Sequence, residues 1–174
     1  MRSIAPQTAI SITALDSPPN LLREPYDLSI FYETEKRPGH CVEVCSDWIF
    51  PVCAPAIAAG LKKPADLEGE LFLHDARWTE DWQQWLSVIA PELNIDASGP
   101  TFSLYSLAVQ EAQNGAGVLM GHEPLVRDFL DDGSLVAPFE QAVELSRKLV
   151  IATPYPPRKG SLLEKIVRQL SIAK

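Results

Sequence analysis

The sequence predicts an α/β protein in which helices pack against a largely parallel sheet. Short apolar, β-branched runs alternate along the 174 residues with segments whose apolar residues recur at helical spacing. The 15 prolines divide the chain into many short elements. This alternation is typical of α/β layers, in which ligands bind beyond the carboxyl ends of the strands.

Strands are predicted where short runs of β-branched and other apolar residues end at turn-forming residues. The polar stretch 33–40 carries a Pro-Gly pair and is predicted to be a loop. The predicted strands are residues 9–15, 26–32, 41–54, 70–74, 117–121, 135–139 and 148–155.

The first helices are predicted from proline and from capping residues. A short helix at 55–59 has proline at its first position. Thr79 is expected to cap the next helix, in which Trp82 and Trp85 lie on one face with Leu86 and Ile89. Glu80 and Asp81 suit the positive start of that helix. Trp78 precedes it and is compatible with either a buried or an exposed position.

Three further helices are predicted in the second half of the chain. Ser103 is expected to cap one of them, which stops at Gly115. Its inward side is expected to be Leu104, Leu107, Ala108 and Ala112. The second covers 124–130. The third begins with Ser161 and Glu164 as a capping box.

Composition excludes several classes of function. The net charge of −8 and scattered basic residues argue against direct nucleic-acid binding by this chain. Apolar runs are too short for a membrane helix, and the N-terminus lacks the apolar region of a signal peptide. We therefore expect a cytoplasmic protein without membrane contact. Three cysteines in such a chain are expected to be reduced thiols.

No cofactor or metal is expected. His40, His74 and His122 lack the spacing of known zinc motifs. Cys53 precedes a helix start, where a thiol pKa falls, but no base accompanies it in the sequence. Catalysis is therefore not expected.

Residues 101–106 (TFSLYS) offer the best ligand-binding signal. Hydroxyl groups and helix-start amides come together there, and such a terminus attracts carboxylates. Simple capping by Ser103 explains the same residues without a ligand.

Several segments together resemble the effector-binding domain of LysR-type transcriptional regulators, in the branch of the glycine-cleavage activator. Each segment alone is a weak signal, but their order and spacing over residues 8–172 are specific. The segments are YDLSIFYE at 26–33, FPVCAP at 50–55, PADL at 64–67, the W-x-x-W of 82–85, AQNGAGVLMG at 112–121 and DGSLVAPF at 132–139.

The resemblance implies two Rossmann-like lobes of the type II periplasmic-binding-protein kind, with two crossover strands near 50–54 and 135–139. Lobe I would comprise residues 1–51 and 138–174, and lobe II residues 52–137. Relative to the family pattern, the helix-turn-helix domain and the first strand and helix of lobe I are expected to be absent.

The resemblance also implies a small-molecule effector, for which we expect a carboxylate or an amino acid. Thr101, Phe102 and Ser103 are expected to form one wall of its site. Tyr32 and Glu33 would form the opposite wall, with His122 as a third contact. A homodimer or higher oligomer is expected, with DNA bound through the helix-turn-helix of a full-length protein.

Three alternatives stay open at this point. A truncated remnant would act only by associating with other regulators. A solute-binding protein of a transport system would share the fold. A small α/β enzyme would use Cys53 or a serine as its nucleophile.

Overall fold

The computed structural model describes residues 8–15, 17–34 and 39–172. The chain divides into two compact units, which we call unit 1 (Met1–Asp47 and Ser146–Lys174) and unit 2 (Trp48–Leu145). Strands β2 (His40–Val52) and β6 (Val143–Thr153) each contribute residues to both units. The lobe boundaries expected at 51/52 and 137/138 stay a prediction.

The described residues of unit 1 form three strands and one helix. Strand β1 (Ser29–Glu33) pairs antiparallel with β6, and β6 neighbours β2. The buried carboxylate of Asp47 on β2 accepts a hydrogen bond from Nε of Arg147 on β6 at 2.6 Å. Helix α5 (Leu162–Ile172) follows Ser161, whose hydroxyl accepts the Glu164 amide hydrogen as predicted.

Unit 2 contains the parallel part of the sheet. Its strand order is β2-β5-β3-β4, with β3 at Phe72–Asp75, β4 at Thr101–Phe102 and β5 at Val118–His122. Strand β3 runs parallel to β4 and β5, whereas β2 runs antiparallel to β5. The expectation of a largely parallel sheet is therefore wrong, because apolar patterns do not distinguish the two pairing directions.

Helices cover both faces of the sheet in unit 2. Consecutive residues of β3, Phe72 and Leu73, belong to different core clusters, because successive side chains of a strand point to opposite faces. Trp82 and Trp85 fill the first cluster, and Ala108 and Val126 belong to the second. The helices are α1 (Pro55–Ala58), a 3-10 turn (Pro64–Leu67), α2 (Asp81–Ile89), α3 (Tyr105–Gln113) and α4 (Glu123–Asp131).

Two predicted strands do not form. Residues 8–15 have no regular secondary structure, and Ile12 is 83% exposed. β-branched residues favour a strand only where a neighbouring strand can pair with the segment and a core can bury its side chains. In the segment 135–139, only Val136 pairs, with Cys53, and Pro138 lacks the amide hydrogen that a longer ladder needs.

The predicted caps of α2 and α3 are also wrong. The N-cap residues are Glu80 and Leu104, and neither helix start has a side-chain cap. Leu104 and Leu107 are exposed, whereas Ala108 and Ala112 are buried as predicted. Among the described residues, no helix has the length and apolar character needed to cross a bilayer.

Candidate functional site

The carboxyl ends of three parallel strands lie at one edge of unit 2. Strand β3 lies between β5 and β4 and runs parallel to both. Beyond these ends, α2 follows β3, α3 follows β4 and α4 follows β5. The first amides of a helix point towards such an edge and favour negatively charged or polar ligands. We call this place the carboxyl edge.

Thr101, Phe102 and Ser103 lie at this edge, as the end of β4 and the residue after it. Thr101 pairs with His74, and the carbonyl of Phe102 accepts the Ala76 amide hydrogen at 2.9 Å. Thr101 and Ser103 are exposed, and half-buried Phe102 packs against the second core cluster.

Ser103 does not cap α3. Leu104 is the N-cap residue and has an extended backbone with φ −130° and ψ 128°, so the helix starts one residue later than the sequence predicts. The Leu104 side chain provides no capping hydrogen bond at this helix start. The Ser103 side chain is exposed beside it.

His122 ends β5 and lies inside unit 2. Its Nε2 atom is 3.2 Å from Oδ2 of Asp81, and the two side chains are 1% and 2% exposed. The imidazole centroid lies 4.0 Å from the nearest ring centroid of Trp78 and 5.3 Å from that of Tyr105. The Tyr105 hydroxyl accepts the His122 amide hydrogen at 3.1 Å and donates to the Met120 carbonyl at 3.0 Å.

A cavity of about 10 Å³ lies among these side chains. Its polar lining residues are His74, Asp75, Asp81 and His122, and its aromatic lining residues include Trp78. A space of this size holds about one water molecule. The cavity beside His122 is therefore too small for an effector molecule.

Tyr32 and Glu33 lie in unit 1, at the end of β1. Tyr32 is opposite Leu149, and the guanidinium carbon of Arg147 lies 5.8 Å from its ring centroid. Glu33 is opposite Lys148. The structure thus brings Thr101, Phe102, Ser103 and His122 to one edge of unit 2, and the role of Tyr32 and Glu33 as an opposite wall stays a prediction.

The sequence does not reveal the cluster around His122. From the sequence, Asp81 is expected only to suit a helix start, and Trp78 has no assigned direction. Asp81, Tyr105 and His122 are far apart along the chain and belong to no common spacing pattern. Only the parallel order of β4, β3 and β5 brings them together.

The side chain of the candidate nucleophile Cys53 is buried. Burial raises the pKa of its thiol to about 11, and the negative charge of Glu70 acts in the same direction, whereas a backbone hydrogen bond from Ala58 opposes them. A thiol of this pKa is protonated at neutral pH. The three cysteines form no disulfide.

The imidazoles of two histidines contact protein groups. The Nε2 atom of His74 lies 2.7 Å from the Ala97 carbonyl oxygen, and that of His122 lies 3.2 Å from Oδ2 of Asp81. Within residues 8–15, 17–34 and 39–172, no three His, Cys, Asp or Glu side chains are grouped as metal ligands.

Comparison with known proteins identifies regulators of transcription. A family model described as LysR substrate binding domain matches residues 1–171. The transcriptional activator AmpR of Rhodobacter capsulatus is 26% identical over 147 residues, which cover 84% of this chain and 50% of that protein. A glycine cleavage system transcriptional activator homolog of Haemophilus influenzae is 27% identical over 136 residues, or 76% of this chain and 44% of that protein.

Solved structures with the same fold are effector domains. The effector domain of AmpR from Pseudomonas aeruginosa has a TM-score of 0.77 at 18% identity, covering 99% of this chain and 84% of that one. The AmpR effector-binding domain from Citrobacter freundii has a TM-score of 0.75 at 20% identity, covering 98% and 85%. The fold is therefore the mixed α/β fold of the periplasmic-binding-protein type. The chain spans half or less of the two curated relatives.

Proposed function

Because this chain belongs to the LysR substrate-binding-domain family, we propose that it senses a small molecule at the carboxyl edge of unit 2 on behalf of a transcriptional regulator. One observation carries the proposal: three parallel strands end at this edge, and three helices follow them. Ligands of open α/β sheets bind beyond such strand ends.

The proposed ligand is a small carboxylate or an amino acid. Thr101 and Ser103 present exposed hydroxyl groups, and the start of α3 beside them has no side-chain cap. A carboxylate there accepts hydrogen bonds from the hydroxyls and helix-start amides, and it lies at the positive end of the helix dipole. The half-buried ring of Phe102 would contact the apolar part of the ligand.

The remaining parts of the proposal concern the whole protein. We propose that the domain is non-catalytic and cytoplasmic, and that it acts in a dimer or a higher oligomer. The high pKa of the Cys53 thiol argues against its use as a nucleophile. DNA binding belongs to another part of the regulator, since a net charge of −8 repels the phosphate backbone. The curated relatives are regulators, which favours this function over a transport protein.

Calorimetry with a Ser103→Ala variant tests the proposed site. The ligands are the twenty common amino acids and a set of short-chain carboxylates, titrated into the whole chain. Ser103 is exposed and caps no helix, so its replacement is expected to change the unfolding free energy by less than about 0.5 kcal/mol. Loss of one hydrogen bond to a charged ligand is expected to weaken binding by roughly tenfold or more.

Ser98→Ala is the matched control. Ser98 is also exposed and lies in the same segment, but it precedes β4 and is therefore remote from the carboxyl edge. We expect Ser98→Ala to bind with the wild-type affinity. Equal affinity of Ser103→Ala and Ser98→Ala for a ligand that binds the wild type would refute this location.

A further inference from the structure

A buried polar cluster joins the starts of three helices to the carboxyl edge. Asp81 is the first residue of α2, and Tyr105 is the first residue of α3. His122 is the last residue of β5 and the N-cap residue of α4. The three side chains therefore come from the three connections that surround the proposed effector site.

The hydroxyl of Tyr105 tethers α3 to the end of β5. It donates a hydrogen bond to the Met120 carbonyl and accepts one from the His122 amide. Both partners are backbone groups of β5, so the first residue of α3 is held at two points of a central strand. Residues 101–104 lie immediately before this tether, and Thr101 and Phe102 are also paired with β3.

Asp81 holds the imidazole of His122 in the same cluster. The distance of 3.2 Å between Nε2 and Oδ2 indicates that Nε2 carries a hydrogen directed towards the carboxylate. The ring then packs beside Trp78 and Tyr105. Of the charged and titratable groups around it, Asp75 and His74 line the adjoining cavity.

Stability alone is a weak explanation for such a cluster. Charged groups lose hydration when they are buried, and an ion pair recovers little more than apolar side chains of the same volume would provide. Directed hydrogen bonds such as the two made by the Tyr105 hydroxyl, in contrast, restrict the geometry of the elements they join. A binding site benefits from this, because a wall that is already ordered has less entropy to lose when the ligand binds.

We propose that Tyr105, His122 and Asp81 are positioning residues for effector binding at the carboxyl edge. They hold residues 101–104 and the first turn of α3 in the geometry that receives the ligand, and they do so from inside unit 2. This inference rests on the proposed function, but it concerns different residues. It assigns to His122 an indirect role in place of contact with the effector.

Tyr105→Phe is the most selective variant, because it removes the hydroxyl and keeps the ring. The matched control is Tyr155→Phe, at a tyrosine that is 71% exposed. Native-state hydrogen exchange of the backbone amides provides a readout that needs no ligand. We expect Tyr105→Phe to speed exchange by about tenfold at the His122 amide, which donates to the lost hydroxyl, and at the Leu107 and Ala108 amides, which close the first turn of α3. After correction for any change in global stability, the amides of β3 should keep the protection that they have in the wild type.

Binding provides the second readout. The ligand is whichever amino acid or carboxylate of the panel binds the wild-type chain most tightly. Tyr105→Phe is expected to weaken its binding by about tenfold, and Tyr155→Phe is expected to leave it unchanged. A merely structural role would lower the unfolding midpoint without changing the affinity or the local exchange.

Asp81→Asn tests the other half of the cluster and remains informative if Tyr105→Phe does not fold. In nitrogen-15 spectra of the wild type, Nε2 of His122 should carry a hydrogen, with His40 and His74 as internal references. The Asn variant should shift the His122 signals alone and weaken binding of the same ligand. Unchanged His122 signals and unchanged affinity would overturn the assigned role of Asp81.

The outcomes separate this inference from the proposed function. If Ser103→Ala weakens binding but Tyr105→Phe changes neither affinity nor local exchange, the site stands and the positioning role is overturned. If no compound of the panel binds the wild type, the proposed ligand class fails. The exchange measurement then decides the inference alone, because unchanged protection of the His122, Leu107 and Ala108 amides in Tyr105→Phe refutes the tether.

Discussion

Single carboxylates close two turns of unit 2. The Oδ2 atom of Asp66 accepts the amide hydrogens of Lys62 and Lys63 at 2.8 and 3.0 Å. Asp132 accepts the Ser134 amide hydrogen at 2.8 Å in the turn that contains Gly133. These residues belong to the PADL and DGSLVAPF segments, so part of the family resemblance reflects turn chemistry.

The effect of Asp66 on stability should depend on pH. Hydrogen bonds from the Lys62 and Lys63 amides lower the pKa of its carboxyl below the ordinary value of 3.8. A lowered folded-state pKa stabilises the folded protein above the unfolded-state value, and the contribution disappears as the pH falls through the folded-state value. Asp66→Ala should therefore lower the urea midpoint at pH 7 and much less at pH 2. A constant difference at both pH values, relative to exposed Glu68→Ala, would contradict this.

The Cys53 thiol should react only after unfolding. Its pKa of about 11 leaves little thiolate at pH 8, and its side chain is buried. In a Cys41→Ser/Cys45→Ser variant, a thiol reagent such as dithionitrobenzoate should label the native protein at the rate of global opening and the urea-unfolded protein within seconds. Rapid labelling of the native protein would contradict the assigned burial.

At the scale of elements, two glycines permit β4 and β5 to approach β3. A Cβ atom on Gly99 would lie 1.8 Å from the Phe72 carbonyl oxygen, and one on Gly117 would lie 2.2 Å from that of Leu71. No side chain fits at these distances without a shift of the β3 backbone. Both glycines precede their strands, so they set the spacing of β3, β4 and β5 at the amino ends, opposite the carboxyl edge.

Gly117→Ala should strongly destabilise the domain. The new methyl group would meet backbone atoms, which cannot rotate away, so we expect a loss of more than about 2 kcal/mol in unfolding free energy. Gly60→Ala is the control, because its Cβ would lie 3.6 Å from the nearest atom and its φ is not positive. The control should change stability by less than about 0.5 kcal/mol. Equal urea midpoints of the two variants would contradict the close approach.

The buried faces of the helices and the Ser161 cap of α5 were predictable, whereas the caps of α2 and α3 and the strand partners were not. The face formed by Trp82, Trp85 and Leu86 is buried as expected, because apolar spacing directly reflects which side meets the core. Ser103 fails as a cap because the backbone of Leu104 is still extended. Residues 9–15 have a strand-like composition without a strand, since pairing depends on a distant segment.

At the scale of the whole molecule, local sequence patterns predicted only part of the candidate site. The sequence points to residues 101–103 and to His122 separately, through a helix start and a strand end. Their common edge follows from the order β5-β3-β4, which local patterns do not contain. The Asp81–His122 pair was equally hidden, because its members are joined by topology alone.

Backbone NMR with a ligand titration tests the central claim most directly. The whole chain, labelled with nitrogen-15, is titrated with the panel compound that binds most tightly in calorimetry. The account predicts that the largest shifts at saturation in unit 2 occur at the amides of residues 101–106. A ligand whose largest shifts in unit 2 lie instead along the groove of Lys63, Val88 and Leu93, with residues 101–106 unchanged, would contradict a sensing site at the carboxyl edge.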